Sequence, residues 1–245
     1  MKRKFELSAT ALKVAAVIAM TIDHCAFTFV PADSAAYFIM RFFGRLTAPI
    51  MSFFIAEGFV YTKSRKKYFI RLLIFGLISQ PFYITLILGR IPTTFFEYVS
   101  TLNVMFTFAL SLLSLQILTE KKLPTAAKVI LIGACFMIAD ICDWSYIIPA
   151  WTIIFYLFRK EKMKRNTAFI AVSIVLMILR YLPCYENFGQ FSFMFGVLPA
   201  LILISLYNGK RCGTLNPIIK KISRWGFYIY YHLHIFVIIL IKNLL

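Results

Sequence analysis

Residues 9–27 read ATALKVAAVIAMTIDHCAF, an apolar stretch of the kind that forms a membrane-spanning helix. Two ionisable residues, Asp23 and His24, interrupt it near its end, and apolar residues resume directly afterwards. A charged side chain at the centre of a bilayer costs about 2.5–3.5 kcal/mol or more, so ionisable residues at such positions usually serve a function. The stretch therefore predicts a helical membrane protein with a polar site inside it.

The composition indicates a membrane protein along the whole chain. Of the 245 residues, 61% are hydrophobic and 15% are charged, too few charges for the surface of a soluble domain. The charges come in short bursts between apolar runs of about 17–25 residues, the length of a transmembrane helix. These runs lack the two-residue alternation of a membrane β-barrel. We therefore expect an all-α polytopic membrane protein, with residues 1–245 forming a single transmembrane domain.

The apolar runs predict a bundle of about nine transmembrane helices. They lie near residues 8–30, 36–62, 69–89, 100–119, 125–141, 144–158, 167–183, 191–207 and 225–241. Five groups of basic residues alternate with pairs of these runs, so all five fall on one face of the predicted bundle. The groups are Lys2, Arg3 and Lys4; Lys63, Arg65, Lys66 and Lys67; Lys121 and Lys122; Arg159, Lys160, Lys162, Lys164 and Arg165; and Lys210, Arg211, Lys220, Lys221 and Arg224.

This asymmetry of basic residues predicts how the chain lies in the membrane. Because Lys and Arg are enriched on the cytoplasmic side, we expect a cytoplasmic N-terminus and an extracytoplasmic C-terminus. The formal net charge of +17 is then mainly a consequence of topology. No nucleic-acid partner is expected, although a basic inner face would attract an anionic cytosolic ligand.

The sequence contains no pattern typical of a metal site or a disulfide framework. The five cysteines are scattered without a C-x-x-C pair, and the zinc signature H-E-x-x-H is absent. We expect the cysteines to be small apolar residues that pack within or beside helices.

Ionisable residues of the first two predicted spans fall on shared helix faces. Lys13 and His24 are eleven residues apart, about three turns, and so lie on one side of the first span. His24 lies about 24 Å from the cytoplasmic end, in the outer half of the membrane. Arg41 and Arg45, four residues apart, share a face of the second span, and Glu57 follows lower in that span. This concentration of ionisable residues predicts a polar cavity.

Each of these residues also has a purely structural interpretation. Asp23 is a possible ion-pair partner for Arg41 or Arg45, and His24 a possible hydrogen-bonded core histidine. Either arrangement would satisfy the polar groups without any reaction.

Glu57 and the last span leave similar alternatives open. Glu57 lies too deep to reach the interface, but a pair with Arg71 or Lys13 would satisfy it. His232 and His234 point about 200° apart on a helix, so they cannot both face one cavity.

The residue types of the predicted cavity suit acid–base chemistry. A neutral imidazole takes a proton from a hydroxyl or an amine, a carboxylate fixes the imidazole tautomer, and a guanidinium stabilises a developing oxyanion. Neighbouring helical residues point about 100° apart, so Asp23 need not touch the His24 ring, and another carboxylate is an alternative. No serine or cysteine nucleophile stands in a recognisable motif, and no glycine loop for phosphate is present.

Several stretches resemble the TraX family, in the order in which that family has them. They are LKVAAVIAMTIDHCAF, MRFFGRLTAPIMSFFIAEGFVYTKSRKKYFIRLLIFGLISQPFY, TLNVMFT, LYNGKRCG and FYIYYHLHI, and together they span most of the chain. The most specific motifs are I-D-H in the first span and G-R-L-x-x-P-I followed by E-G-F in the second. The resemblance implies a multi-pass protein of the bacterial cytoplasmic (inner) membrane associated with N-terminal acetylation of conjugative pilin. It also implies a distant similarity to integral-membrane acyltransferases that use acyl-CoA.

In that wider superfamily an Arg, ten further residues and a His mark the first span, and Lys13 and His24 occupy these positions here. The resemblance therefore implies that His24 is the catalytic base, with Asp23 and Arg45 as further catalytic residues. Binding of the donor and the acceptor is assigned to Lys13, Arg41, Glu57, Asn103, Arg71, Tyr231 and His234.

Three positions depart from the family pattern. Lys13 replaces the Arg and lacks the bidentate fork that suits phosphate. In the last span His232 replaces the proline of a Y-P-x-H motif, while His234 keeps the matching histidine. Cys212 interrupts a G-K-R-G motif. We expect these departures to affect donor binding.

The predicted reaction is transfer of an acetyl or other short acyl group across the membrane. Acetyl-CoA, the expected donor, would approach from the basic cytoplasmic face and reach up the bundle past Lys13. The acceptor would be an extracytoplasmic hydroxyl or amine, on a pilin or other peptide, a glycan or a lipid. It would lose its proton to His24 while Arg41 or Arg45 stabilises the oxyanion. Membrane lipids are the other expected partners, and no metal cofactor is expected.

Three other classes of function are alternatives to this reaction. A transporter or channel would use Asp23, His24, Arg41, Arg45 and Glu57 to bind a substrate or relay protons, but no inverted repeat is evident. An intramembrane metalloprotease would need paired Glu and His at helical spacing, which the sequence lacks. A purely structural subunit would tolerate neutral replacements of the buried ionisable residues.

Overall fold

A computed structural model describes residues 6–184, 191–209 and 217–245. The α-helices are α1 (Ala9–Phe29), α2 (Ala35–Gly44), α3 (Thr47–Tyr61), α4 (Arg65–Leu88), α5 (Phe95–Val99), α6 (Val104–Thr119), α7 (Thr125–Ala139), α8 (Ile147–Leu157), α9 (Lys162–Tyr181), α10 (Ala200–Ser205) and α11 (Pro217–Leu244). Two 3-10 segments cover Leu182–Cys184 and Ser192–Val197. The predicted all-α class is confirmed for the described residues. The basic residues Lys2, Arg3, Lys4, Lys210 and Arg211, and also Cys212, lie outside them.

Short polar signals in the sequence set several helix boundaries. Ser8, Ser34 and Ser64 are the N-caps of α1, α2 and α4, and each side chain accepts a hydrogen bond from the backbone N–H three residues later. Such caps satisfy N–H groups that have no partner inside the helix. At the other end, α4 stops at Gly89, whose φ of 70° suits a residue without a Cβ atom.

Each of the nine predicted spans coincides with a helical segment of the described chain. Five segments are long and apolar enough to cross a bilayer: Ala9–Phe29, Ala35–Tyr61, Arg65–Leu88, Lys162–Cys184 and Trp225–Leu244. The apolar segments Val104–Thr119, Thr125–Ala139, Ile147–Leu157 and Ser192–Ser205 are shorter. The chain is therefore a helical membrane protein. Nine crossings and the orientation of the two termini stay predictions.

The second predicted span consists of two helices. α2 ends at Gly44, and α3 begins at Thr47 after a turn at Arg45 and Leu46. The Arg45 N–H still bonds to the Arg41 carbonyl at 3.1 Å, so the backbone keeps a helical course up to the break. The break lies beside the ionisable residues that the sequence singles out.

The chain divides into two compact units, and the predicted single domain stays a prediction. The first unit comprises Met1–Met51 and Ser173–Leu245. Within it, α1 packs against α2 and α11, and the 3-10 segment Ser192–Val197 packs against α2. The Leu7 N–H donates to the Leu206 carbonyl at 2.8 Å, which ties the segment before α1 to the end of α10.

The second unit comprises Ser52–Val172, and α6 contacts α4, α7 and α8 within it. Buried hydroxyls on α6 bond to backbone carbonyls. Thr107 donates to the Asp143 carbonyl at 2.7 Å, and Ser111 donates to the Thr107 carbonyl of its own helix at 2.8 Å. The polar residues of α6 are thus satisfied inside an otherwise apolar core.

Candidate functional site

A buried ion cluster joins α1 to α2. The Asp23 carboxylate accepts hydrogen bonds from Arg41 Nη1 at 2.9 Å and from Arg45 Nη2 at 2.5 Å. Its Oδ2 atom contacts Nη2 of Arg45 as well. The three side chains are only 13%, 14% and 8% exposed for Asp23, Arg41 and Arg45. One carboxylate therefore holds both guanidinium groups.

Two glycines make this close approach possible. A Cβ atom at Gly44 would overlap the Asp23 side chain, so α1 and α2 can meet here only because residue 44 has none. A Cβ atom at Gly196 would overlap the backbone carbonyl of Phe42. The 3-10 segment Ser192–Val197 consequently lies directly on α2 and brings its own side chains to the cluster.

Aromatic rings surround the two guanidinium groups. The Phe193 ring lies 5.3 Å from Cζ of Arg41 and 5.6 Å from Cζ of Arg45. The rings of Phe27 and Tyr37 each lie 5.6 Å from Cζ of Arg41. Cation–π attraction strengthens when water is excluded, so these rings help to hold both charges in place.

The His24 ring meets a second histidine that lies 210 residues later in the chain. Nδ1 of His24 is 2.8 Å from Nε2 of His234 on α11. The two ring planes are 4° from parallel, with centroids 5.0 Å apart. His234 is buried and His24 is half-buried. Histidines from the first and last predicted spans are therefore hydrogen-bonded to each other.

The surrounding hydrogen bonds determine which ring nitrogen carries the proton in the neutral pair. Nδ1 of His234 lies 2.8 Å from the Tyr230 carbonyl, which can only accept, so Nδ1 of His234 is the donor. In a neutral ring the other nitrogen, Nε2, is then an acceptor. Nδ1 of His24 must donate to it, and Nε2 of His24 carries the lone pair. Among the described residues, the only hydrogen-bond partner of the His24 ring is His234.

A second hydrogen bond fixes the register of α1 against α11. Thr21 Oγ1 lies 2.6 Å from the Tyr230 hydroxyl and donates its own hydrogen to the Val17 carbonyl at 2.9 Å. The Tyr230 hydroxyl must then be the donor to Thr21. Thr21 and His24 on α1 contact Tyr230 and His234 on α11 in the same order, so these helices run in the same direction. If both cross the membrane, an odd number of crossings is required, as in the predicted nine.

The structure places other predicted residues of the first unit around the histidine pair. Tyr231 is fully buried, and its ring centroid lies 5.7 Å from that of His234. The His232 ring stands edge-on to Tyr231 at 6.3 Å. Of the two histidines on α11, His234 is the one that bonds to His24, in line with the predicted 200° separation. Lys13 is half-buried on α1.

Glu57, Arg71 and Asn103 belong to the second unit. Glu57 interacts electrostatically with Arg165, a partner that the sequence does not indicate. Arg165 is almost completely buried. The Arg71 guanidinium carbon lies 5.1 Å from the ring of Tyr68. The predicted roles of these residues in binding a donor or acceptor stay predictions.

Asn103 forms a fully bonded node with Gln80. Its Nδ2 donates to the Gly76 carbonyl at 2.8 Å and to Gln80 Oε1 at 2.9 Å, and its Oδ1 accepts from the Met105 N–H at 3.0 Å as the N-cap of α6. Gln80 donates to two backbone carbonyls between α4 and α6, at 2.9 and 2.8 Å. Both amide groups thus use all their donors within the protein.

Some residues of the histidine and arginine clusters escape prediction from sequence. Thr21 lies three residues before His24, and Tyr230 lies four residues before His234, so helical spacing alone could have indicated both. Phe193 and Met194, whose Sδ is 3.8 Å from Arg45 Nη1, carry no such signal because they come from a distant 3-10 segment.

The site combines a histidine that has a lone pair on Nε2 with two guanidinium groups held by one carboxylate. The His24 lone pair can take a proton, while the guanidinium groups beside Asp23 attract negative charge as it develops. Within residues 6–184, 191–209 and 217–245, no group of three or more His, Cys, Asp or Glu side chains could hold a metal ion. The four described cysteines, Cys25, Cys135, Cys142 and Cys184, are free thiols.

Comparison with known proteins gives one family and one close relative. A family model described as "TraX protein" matches residues 8–242. A Dichelobacter nodosus protein named "Probable fimbrial assembly protein FimC, serogroup H1" is 34% identical over 242 residues, which is 96% of each chain. No solved structure matches.

Proposed function

The chain belongs to the TraX family, and from this premise we propose that it is a membrane-embedded acyltransferase. It moves an acetyl or other short acyl group from cytosolic acyl-CoA to an extracytoplasmic amine or hydroxyl. The observation that carries the proposal is the hydrogen-bonded His24 ring, whose Nε2 keeps a lone pair next to a cluster of two arginines. We place the protein in the bacterial cytoplasmic membrane, because its basic residues fit the positive-inside pattern there.

His24 acts as the base in the proposed reaction. The acceptor nitrogen or oxygen attacks the carbonyl carbon of the thioester, and its proton passes to Nε2 of His24. The tetrahedral intermediate then collapses, the carbon–sulfur bond breaks, and the coenzyme A thiolate leaves. The thiolate takes the proton from Nε2, which returns His24 to its starting state. Proton and acyl group are both accounted for without a metal or an oxidant.

Arg41 and Arg45 supply the electrostatic part of the reaction. A thioester carbonyl gains negative charge when the acceptor attacks it, and preorganised donors stabilise that charge best where water is excluded. The two guanidinium groups at Asp23 and their aromatic surroundings provide such a setting. Asp23 holds the two guanidinium groups in place in the absence of substrate.

The donor is held, in this proposal, by basic residues of the cytoplasmic face. Several arginines of the second unit stack on aromatic rings, a contact that arginine combines with phosphate recognition in other proteins. The Arg65 guanidinium carbon lies 3.9 Å from the ring of Phe59, and that of Arg159 lies 4.8 Å from the ring of Tyr156. These contacts support a binding surface for the anionic part of acetyl-CoA.

The name of the Dichelobacter nodosus relative refers to fimbrial assembly, and it guides the choice of acceptor. We propose the N-terminal amine of a fimbrial or pilin subunit as the first acceptor to test. A surface glycan, a lipid and another secreted peptide are the alternatives, since a base at Nε2 of His24 serves a hydroxyl as well as an amine.

The test is thiol release from acetyl-CoA by the purified full chain in nanodiscs, with peptide-amine, glycan and lipid acceptors. We expect His24→Ala to lower the release rate by about 100-fold or more. His232→Ala is the matched control, since it changes a histidine of α11 that points away from His24, and it should retain most of the activity.

Two results would overturn the proposal. Full release by His24→Ala would remove the base. No release with any acceptor, together with no binding of acetyl-CoA to the same sample, would exclude the transferase and favour a transporter that uses the same charges.

A further inference from the structure

We propose that His234 is a positioning residue that fixes the tautomer of His24. His234 accepts a hydrogen bond from the N–H at Nδ1 of His24. The lone pair of His24 therefore stays on Nε2, where the proposed reaction needs it. This inference rests on the proposed role of His24 as a base, and it assigns His234 to the base itself and not to substrate binding. The contact between the two rings, at 2.8 Å, is the observation behind it.

The direction of both histidine hydrogen bonds follows from one group that can only accept, the Tyr230 carbonyl. The Tyr230 carbonyl has no hydrogen to give, so it forces the proton of His234 onto Nδ1. The acceptor nitrogen of His234 then faces His24. A protein-backbone carbonyl thereby determines the protonation of two rings in succession. An isolated neutral imidazole has no such constraint and exchanges between both tautomers.

A carboxylate commonly plays this orienting part beside a catalytic histidine. Here the nearest acidic residue along α1 is Asp23, and both of its oxygens are engaged by Arg41 and Arg45. Within the described ranges the His24 ring forms no hydrogen bond to a carboxylate. A neutral histidine does the same work in a membrane interior without adding a further buried charge.

The His234 ring is held firmly enough to orient another ring. It is buried, it lies 7° from parallel to the Tyr230 ring at 5.2 Å, and Tyr231 packs against it. Tyr230 is in turn fixed to α1 through its hydroxyl and Thr21. These contacts bind both rings to one rigid pair of helices, α1 and α11.

The chain offers a favourable case for reading the tautomer directly, because it has only three histidines. Nitrogen-15 NMR of protein with labelled histidine rings, in nanodiscs, distinguishes protonated from unprotonated ring nitrogens. The variants His24→Gln and His232→Gln assign the signals. We expect His24 to be protonated at Nδ1 and unprotonated at Nε2. Protonation at Nε2 of His24 in the wild-type protein would overturn the proposal.

Kinetic variants of His234 give the second readout. His234→Ala removes the acceptor, so kcat should fall by about tenfold or more while KM for acetyl-CoA changes little. His234→Gln places an amide oxygen near the position of Nε2 and should recover much of kcat and the Nδ1-protonated state of His24. His232→Gln is the control and should leave kcat near the wild-type value. Equal kcat in His234→Ala and wild type, or a folded but inactive His234→Gln, would overturn the positioning role.

The two readouts separate this inference from the proposed function. The NMR measurement needs no enzymatic activity, so it tests the hydrogen-bond direction even if no acyl transfer is found. Conversely, a transferase that requires His24 but is indifferent to both His234 variants would keep the proposed function and remove only the role of His234.

Discussion

The Gln80–Asn103 node and the Asp23–Arg41–Arg45 cluster both bury polar side chains among helices, but they use them differently. In the node, two neutral amides bond to each other and to backbone carbonyls until every donor is used. In the cluster, two positive charges share one carboxylate. A histidine with an unused lone pair follows directly in the sequence.

This difference separates polar groups that stabilise a fold from those available for a reaction. A satisfied neutral node can be buried at little cost, and it joins the connected segments. A charged cluster costs free energy to bury, and packing alone does not require it. The lone pair of His24 and the two arginines at Asp23 are the reason that we place the proposed reaction in the first unit.

Removing the carboxylate of the charged cluster should have the largest effect. Asp23→Asn keeps the size of the side chain but leaves two buried guanidinium groups without their anion. We expect the free energy of unfolding to fall by about 3–5 kcal/mol, since this is the usual cost of breaking a buried ion pair from one side. Denaturant titration of the protein in mixed micelles measures it.

The triple variant Asp23→Asn, Arg41→Gln, Arg45→Gln is the matched control. It removes all three charges, so stability should recover partly while acyl transfer stays low. A single Asp23→Asn variant as stable as wild type would show that the cluster is not tightly buried, and the contrast with the amide node would disappear.

Disrupting the amide node should cost less and leave the chemistry unchanged. Asn103→Ala removes two donors and the N-cap acceptor of α6, so we expect a loss of about 1–3 kcal/mol from unpaired buried groups. Activity per folded molecule should stay near wild type. Asn103→Ser keeps a cap acceptor, and the difference between Ala and Ser should be about 1 kcal/mol. A selective loss of acetyl-CoA binding in either variant would return Asn103 to the donor site.

Substituting alanine for glycine adds a single methyl group, and two glycines allow this change to be compared at the ion cluster and at the amide node. At Gly44 a Cβ atom would overlap the Asp23 side chain, and at Gly76 it would lie 3.1 Å from the edge of the Phe106 ring. Gly44→Ala should therefore destabilise the protein by about 1–3 kcal/mol through overpacking. Gly76→Ala lies inside α4, where Ala is favoured by about 1 kcal/mol, so it should be close to neutral.

Thermal melting of both glycine variants in the same nanodiscs measures this difference. If Gly76→Ala lowered the melting temperature more than Gly44→Ala, the side chains would be packed more closely at the amide node than at the ion cluster.

Local patterns in the sequence predicted most of the helices, because apolar runs and serine caps act over a few residues. The shared face of Arg41 and Arg45 on α2 was also predictable from their four-residue spacing, and both side chains bond to Asp23. The structure thus confirms that Asp23 forms ion pairs with Arg41 and Arg45. Its catalytic role stays a prediction.

Pairings between distant segments could not be predicted in this way. His24 and His234 are 210 residues apart, and no periodicity relates one helix to another. For the same reason the sequence does not indicate that the Asn103 amide group bonds within the second unit, and its part in substrate binding stays a prediction. The close approach of Asp23 to Gly44, next to the break at Arg45 and Leu46, is likewise a tertiary contact.

An exposed ion pair provides the baseline for the buried cluster, and it should give the smallest effect. Arg90 Nη2 and Thr93 N–H both bond to the Glu97 carboxylate, at 2.5 and 2.8 Å, in the connection between α4 and α6. The Arg90 guanidinium, followed by the Thr93 N–H, lowers the pKa of Glu97 from 4.5 to about 2. A lowered pKa in the folded state stabilises the fold above the unfolded pKa. That stabilisation is lost as the pH falls from about 4.5 toward 2.

Melting temperatures of wild type and Glu97→Gln, measured across this pH range, test the effect. We expect a small advantage for wild type above pH 4.5 that shrinks to nothing near pH 2, because exposed ion pairs contribute little. Arg90→Gln should remove most of this pH dependence of the melting temperature, because Arg90 is the larger cause of the lowered Glu97 pKa. A stability advantage of wild type over Glu97→Gln that grows as the pH falls would contradict the expected direction of the effect. An advantage as large as the one that Asp23 provides would mean that burial is not what distinguishes the two clusters.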